Sequence, residues 1–169
     1  LGYLLSGADG DPNQLRLRAL HGGSLLAEAN ALDILAARHG VAYAEDLARE
    51  FLATGDPEFI VAVASWVADR PAGYAPAVPG LDLQFLGPER RTLLFELAAQ
   101  SLACGFGQDC GIAGALMQDY CIELGICYTS FDHAAERELL SPRDFERMLG
   151  LRDALQAGIA TGDYGAFGL

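Results

Sequence analysis

The chain has 169 residues, 51% of them hydrophobic and 20% charged, which is enough for one domain with a substantial core. Its 23 carboxylates face 11 arginines and no lysine, for a net charge of −12. The missing lysine excludes a Schiff-base lysine, a phosphate-loop lysine and a Ser–Lys dyad, while the acidic balance repels phosphate backbones and argues against a nucleic-acid partner.

Alanine and leucine supply 55 residues, against 15 for valine, isoleucine and threonine together, so helix is favoured over sheet. Gly10-Asp11-Pro12 and Gly55-Asp56-Pro57 share one form. The glycine can end one helix, the aspartate caps the next, and proline fits its first turn. A third copy, Thr161-Gly162-Asp163, lacks the proline. Helices are predicted over about 12–21, 25–38 and 43–54, separated near Gly22-Gly23 and at Gly40. After Asp56, the residues Ile60, Val63, Ala64 and Val67 form one helical stripe, with Phe59 and Trp66 beside it. Residues 70–88 then break the pattern with Pro71, Pro76, Pro79 and Pro88 among glycines. Tyr74, Leu81, Leu83 and Phe85 predict a connection laid across an apolar surface, and long connections of this kind are linkers or functional segments.

Helical spacing resumes at Pro88, with Leu94, Leu97, Ala98 and Ser101 on one face. A helix over about 110–124 carries Ile112, Leu116 and Tyr120, and a third runs from Ser130 to Leu140. Ser141-Pro142-Arg143-Asp144 reads as an N-cap, a first-turn proline and an acidic third position. The last helix carries Phe145, Met148, Arg152, Leu155 and Ile159 up to Gly162. The expected fold is all-α: a bundle of seven or eight short helices in two halves, 1–70 and 88–169, joined by a Pro/Gly-rich connection over 71–87 and packed as one compact domain. No stretch reaches the roughly 20 apolar residues that span a bilayer. The first residue is Leu1, so the chain is expected to have been trimmed, with any signal peptide or lipid-anchor cysteine upstream.

Cys104, Cys110, Cys121 and Cys127 have the spacing C-x5-C-x10-C-x5-C. Each C-x5-C pair straddles a helix end and the turn after it, which can bring two alpha carbons within disulfide reach. Cys104 with Cys110 and Cys121 with Cys127 is the pairing these turns favour, among three that are possible. A four-thiolate zinc site usually has tighter C-x2-4-C knuckles, so no metal is expected, and four reduced thiols would instead fit a cytosolic protein. Disulfides point to an oxidising compartment, the periplasm or the cell exterior.

The run from Leu97 to Cys110 (LAAQSLACGFGQDC), followed by Cys121 and Cys127, resembles the C-terminal half of a loose group of uncharacterised exported helical proteins from GC-rich Gram-negative bacteria. The likeness covers about 88–165. It implies a compartment and a helical fold, and it brings no activity, cofactor or catalytic residue.

Other constellations are weaker. Ile34 to Leu47 imitates a helix-turn-helix through Ala36, Gly40, Val41 and Leu47, but its second helix carries Glu45, Asp46 and Glu50 against Arg49, which would face phosphates with the wrong sign. His21 and His39 sit beside helix-ending glycines, where they suit the dipole. His133 adjoins Asp132 and shares a helical face with Glu136, as metal ligands or an acid–base pair would, without being an HExxH motif. No G-x-S-x-G elbow and no EF-hand loop occur.

The leading expectation is a non-enzymatic, exported acidic protein that binds a macromolecule with a basic surface, as an inhibitor, a toxin-neutralising protein or an assembly accessory, with no cofactor. Tyr74 and Phe85 in the 71–87 connection are its expected contact residues. One alternative is a carboxylate-dependent hydrolase of cell-wall or other polysaccharide, drawing on Glu89, Glu96, Glu123, Glu136 or Glu138. Another is a carrier of a small apolar ligand held between helices.

Overall fold

The computed structural model describes residues 25–70, Tyr74 and 78–169. The predicted 12–21 helix, its Gly10-Asp11-Pro12 joint and His21 lie outside them. The described residues form an all-α bundle with two disulfides in its C-terminal half.

The helix expected over 25–38 is two pieces, α1 (Leu25–Ala29) and α2 (Leu32–His39), divided at Asn30 and Ala31. Helix α3 (Val41–Ala53) follows after Gly40 alone, whose φ of 95° lets the chain turn a corner in one residue. Helix α4 (Pro57–Ala68) starts as its capping residues predict: the Asp56 carboxylate accepts the Glu58 N–H at 2.9 Å, and Pro57 fills the first turn. It is apolar around most of its circumference and buries Phe59, Ile60, Val63 and Val67, which makes it the central element of the core. Helix α5 (Pro88–Gly105) packs along α4 and buries Leu94, Leu97, Ala98 and Ser101, the face read from spacing. Its other side meets α8 (Pro142–Thr161), which buries Met148, Leu151 and Leu155. At the start of α8 the Ser141 hydroxyl accepts the Asp144 N–H.

Between them lie α6 (Ala115–Leu124) and α7 (Phe131–Ala134), the latter prolonged to Leu139 by a wider π turn. Helix α6 begins later than its apolar spacing predicts. The Asp109 carboxylate accepts the Gly111 N–H, Gly111 bridges to Ser130, and the Phe131 N–H donates to the Cys110 carbonyl, so residues 109–114 are held in a turn. Gly114 is required there, because a Cβ would overlap the Asp109 carbonyl. Ile112, expected on this helix, stands before it and is exposed.

The described residues of the connection after α4 are anchored on the body. Leu83 is buried in a short 3-10 turn, Leu83–Phe85, and Leu81 lies against Gly150 of α8. Tyr74 is 1% exposed, stacks on Phe95 of α5 at 3.7 Å between ring centroids, and donates its hydroxyl to the Ala166 carbonyl at 2.7 Å. Phe167, in the 3-10 turn Tyr164–Phe167, meets Phe95 edge-on. A single apolar cluster thus runs from Leu25 to Phe167 and draws on both halves of the chain.

Candidate functional site

The cysteines are paired as their turns favour. Cys104–Cys110 joins the end of α5 to the turn after it, with alpha carbons 5.6 Å apart, and Cys121–Cys127 does the same for α6 at 4.5 Å. Among the described residues no group of side chains has the arrangement of a metal site.

These two bonds bracket a helix that is poorly supported by packing. Met117 is the buried apolar side chain of α6, Leu116 and Tyr120 are half-buried, and Ile122 and Leu124 are exposed. Residues three and four apart share a helix face, so Met117, Tyr120 and Leu124 form one stripe. It passes from core to solvent along its length: Met117 is enclosed, Tyr120 meets Phe131 edge-on, and Leu124 is 61% exposed. Ile112 in the preceding turn is also exposed, at 64%.

Tyr120 also walls a groove of about 250 Å³ between α4, α5 and α6. Its apolar lining comes from Val61, Ala64, Leu93, Leu97 and Ala99, and its polar rim from Ser65, Glu96, Gln100 and Tyr120. Partial burial, and secondarily the charge of Asp69, raise the Glu96 carboxyl above the usual range. Burial and then the Glu96 charge raise the Tyr120 phenol. Among the described residues no arginine lines the groove, and the sequence has no arginine or lysine from Thr92 to Glu136. Elsewhere several arginines are paired: Arg49 with Asp46, Arg70 with Glu45, Arg90 and Arg147 with Asp144, and Arg152 with Asp132. Among the described residues Asp69, Glu96, Asp119 and Glu123 form no ion pair.

The remaining candidates are placed less suggestively. Tyr74 is in the core, so the expected contact pair is divided: its ring is enclosed between α5 and the C-terminal turn, whereas Phe85 is 79% exposed. Asp132 accepts the buried Ser101 hydroxyl at 2.6 Å and faces Arg152, which commits it to holding α7 on α5 and α8. His133 lies edge-on to Tyr128, and His39 is tilted against Tyr43. Of the carboxylates considered for hydrolysis, Glu138 accepts the Tyr128 hydroxyl, Glu136 lies beside Arg137, and Glu89 occupies the first turn of α5. Glu123 is on exposed α6, and Glu96 is on the groove. In the segment that imitates a helix-turn-helix, Glu45 and Asp46 of α3 are tied into ion pairs with Arg70 and Arg49.

The groove was not legible from sequence, because its walls come from three helices distant in the chain. The available signal was Tyr120 lying three residues after Met117 and four before Leu124, a stripe that ends in a glycine turn. No helix among the described residues is long and apolar enough to cross a membrane. No protein-family model, curated protein or solved structure matches this chain.

Proposed function

We propose that this chain is a non-enzymatic, exported acidic protein that captures a basic protein partner on the face made by α6 and the adjoining groove. The observation that carries this reading is the stripe Met117–Tyr120–Leu124, which runs off the body into solvent within a segment bare of positive charge. Exposed apolar side chains ringed by one sign of charge are the composition of a docking surface: the apolar groups supply contact area, and the charge selects and steers the partner. The two disulfides support the same reading. They hold α6 in place before binding, so little ordering entropy remains to be lost on contact. They also favour an oxidising compartment, periplasmic or extracellular, in keeping with the resemblance to exported helical proteins. Inhibition, toxin neutralisation and assembly assistance are the roles open to such a surface.

The test is binding of a labelled basic amphipathic helix built from leucine and lysine, followed by fluorescence anisotropy. Wild type should bind it, and binding should weaken with added salt. The double substitution I122D/L124D should lower affinity by about tenfold or more while leaving helicity intact. Equal affinity for this variant, or equal binding of a scrambled peptide of the same charge, would refute the reading.

A further inference from the structure

The groove beside α6 is small and chemically mixed: of its aliphatic lining Ala64, Leu97 and Ala99 are buried, and of its oxygen-bearing lining Ser65 and Glu96 are exposed. We infer that it holds a single lysine or arginine side chain of the partner, stem against Val61, Leu93 and Leu97, and cationic tip at Glu96. The identity of the molecule carrying that side chain rests on the proposed function; the chemistry of the groove does not.

Three features of the groove point to a cation with an apolar stem. The first is the lining itself: a long basic side chain lays its methylenes on apolar surface and keeps its charged end at a polar edge, which is the division this groove presents. The second is the charge balance. Glu96 has Asp69, just after α4, as its charged neighbour and the neutral Tyr120 phenol of α6 as its titratable neighbour, so the near charge is negative, and among the described residues neither carboxylate is ion-paired to an arginine. Among the described residues the ion-paired carboxylates lie elsewhere, so none of the described arginines paired to them competes with an incoming cation. The third is the surplus of acceptors. Glu96 accepts only, and the Gln100 amide carbonyl, the Ser65 hydroxyl and the Tyr120 oxygen can all accept as well. An anionic ligand would be repelled from this rim, and a wholly apolar one would leave its carboxylate uncompensated.

The probe is n-butylguanidinium, titrated into the full chain and followed by backbone amide shifts. Shifts confined to residues 93–100, 61–65 and 120, saturating in the millimolar range or below, are the expected result. The isosteric variant E96Q should weaken binding by about tenfold, because it keeps the shape and removes the charge. Guanidinium ion, which lacks the stem, should bind wild type about tenfold more weakly. I122D/L124D should bind n-butylguanidinium as wild type does. Undiminished binding by E96Q, or equal binding of the stemless ion, overturns the inference. So does tighter binding on R16A/R18A, which would identify the occupant as a side chain of this chain. If n-butylguanidinium fails while the amphipathic helix still binds, the groove assignment falls and the docking face stands. The reverse result leaves the groove as a cation site and removes the docking face.

Discussion

Tyr74 and Phe85 belong to the same proline- and glycine-rich connection and meet opposite surroundings. Tyr74 has a ring stacked on Phe95 and a hydroxyl satisfied by the Ala166 carbonyl, and burial drives that phenol far above its usual ionisation range. Phe85 has no such partners and remains 79% exposed. Replacing Tyr74 by phenylalanine keeps the stack and loses one buried hydrogen bond, so unfolding in urea should show a loss of about 1 kcal/mol. Phe85→Ala should change stability by less than about 0.5 kcal/mol. A Y74F cost no larger than that of F85A would mean that the hydroxyl contributes nothing to anchoring the connection. Sequence could not separate the two aromatics, because both sit among turn residues without periodic neighbours. What distinguishes them is a carbonyl near the far end of the chain.

Helix α6 is the element whose place in the fold depends most on its cysteines. With Met117 as its buried anchor and Tyr120 half in contact, it gains less from packing than α4 or α5. Removing one bond with C121S/C127S should cost about 2 kcal/mol by the loop-closure relation, and amide exchange should quicken first over 115–124. Uniform acceleration across α4 and α5 would contradict this ordering of local stabilities. The helices themselves were largely readable wherever termini carry their own chemistry. Asp56-Pro57 and Ser141-Pro142 form the caps they spell, and the α5 stripe is buried as its spacing requires. The late start of α6 was hidden because Ile112 and Leu116 keep helical spacing across the turn. The deciding contacts, Gly111 to Ser130 and Gly114 against Asp109, come from chain geometry that apolar periodicity does not encode.

At the scale of the whole molecule, the two long helices of the C-terminal half are joined at their starts as well as through the core. Arg90, in the first turn of α5, donates to Asp144, in the first turn of α8, at 2.7 Å, and Arg147 donates to the same carboxylate at 3.0 Å. The Arg90 hydrogen bond, followed by those from Arg147 and Ser141, outweighs partial burial and lowers the Asp144 carboxyl from 3.8 to about 2. A carboxyl more acidic when folded than when unfolded favours the fold above its ordinary value, and this contribution is lost as pH falls through that window. Urea midpoints of wild type and D144N should therefore differ at pH 5 and converge between about pH 4 and pH 2. A constant difference across that range would show that the Asp144 charge is not what the arginines stabilise.

The disulfides also define a covalent map. Each closes its own short ring, Cys104 to Cys110 and Cys121 to Cys127, and neither ring encloses the ten residues from Gly111 to Tyr120. A backbone cut inside either ring leaves one molecule, heavier by a water. A cut between the rings severs the chain into two pieces that no bond connects. Limited proteolysis without reductant thus sorts nicks by whether mass is conserved, and a single cut in the α6 segment between the rings would part the protein into two pieces that each keep one disulfide.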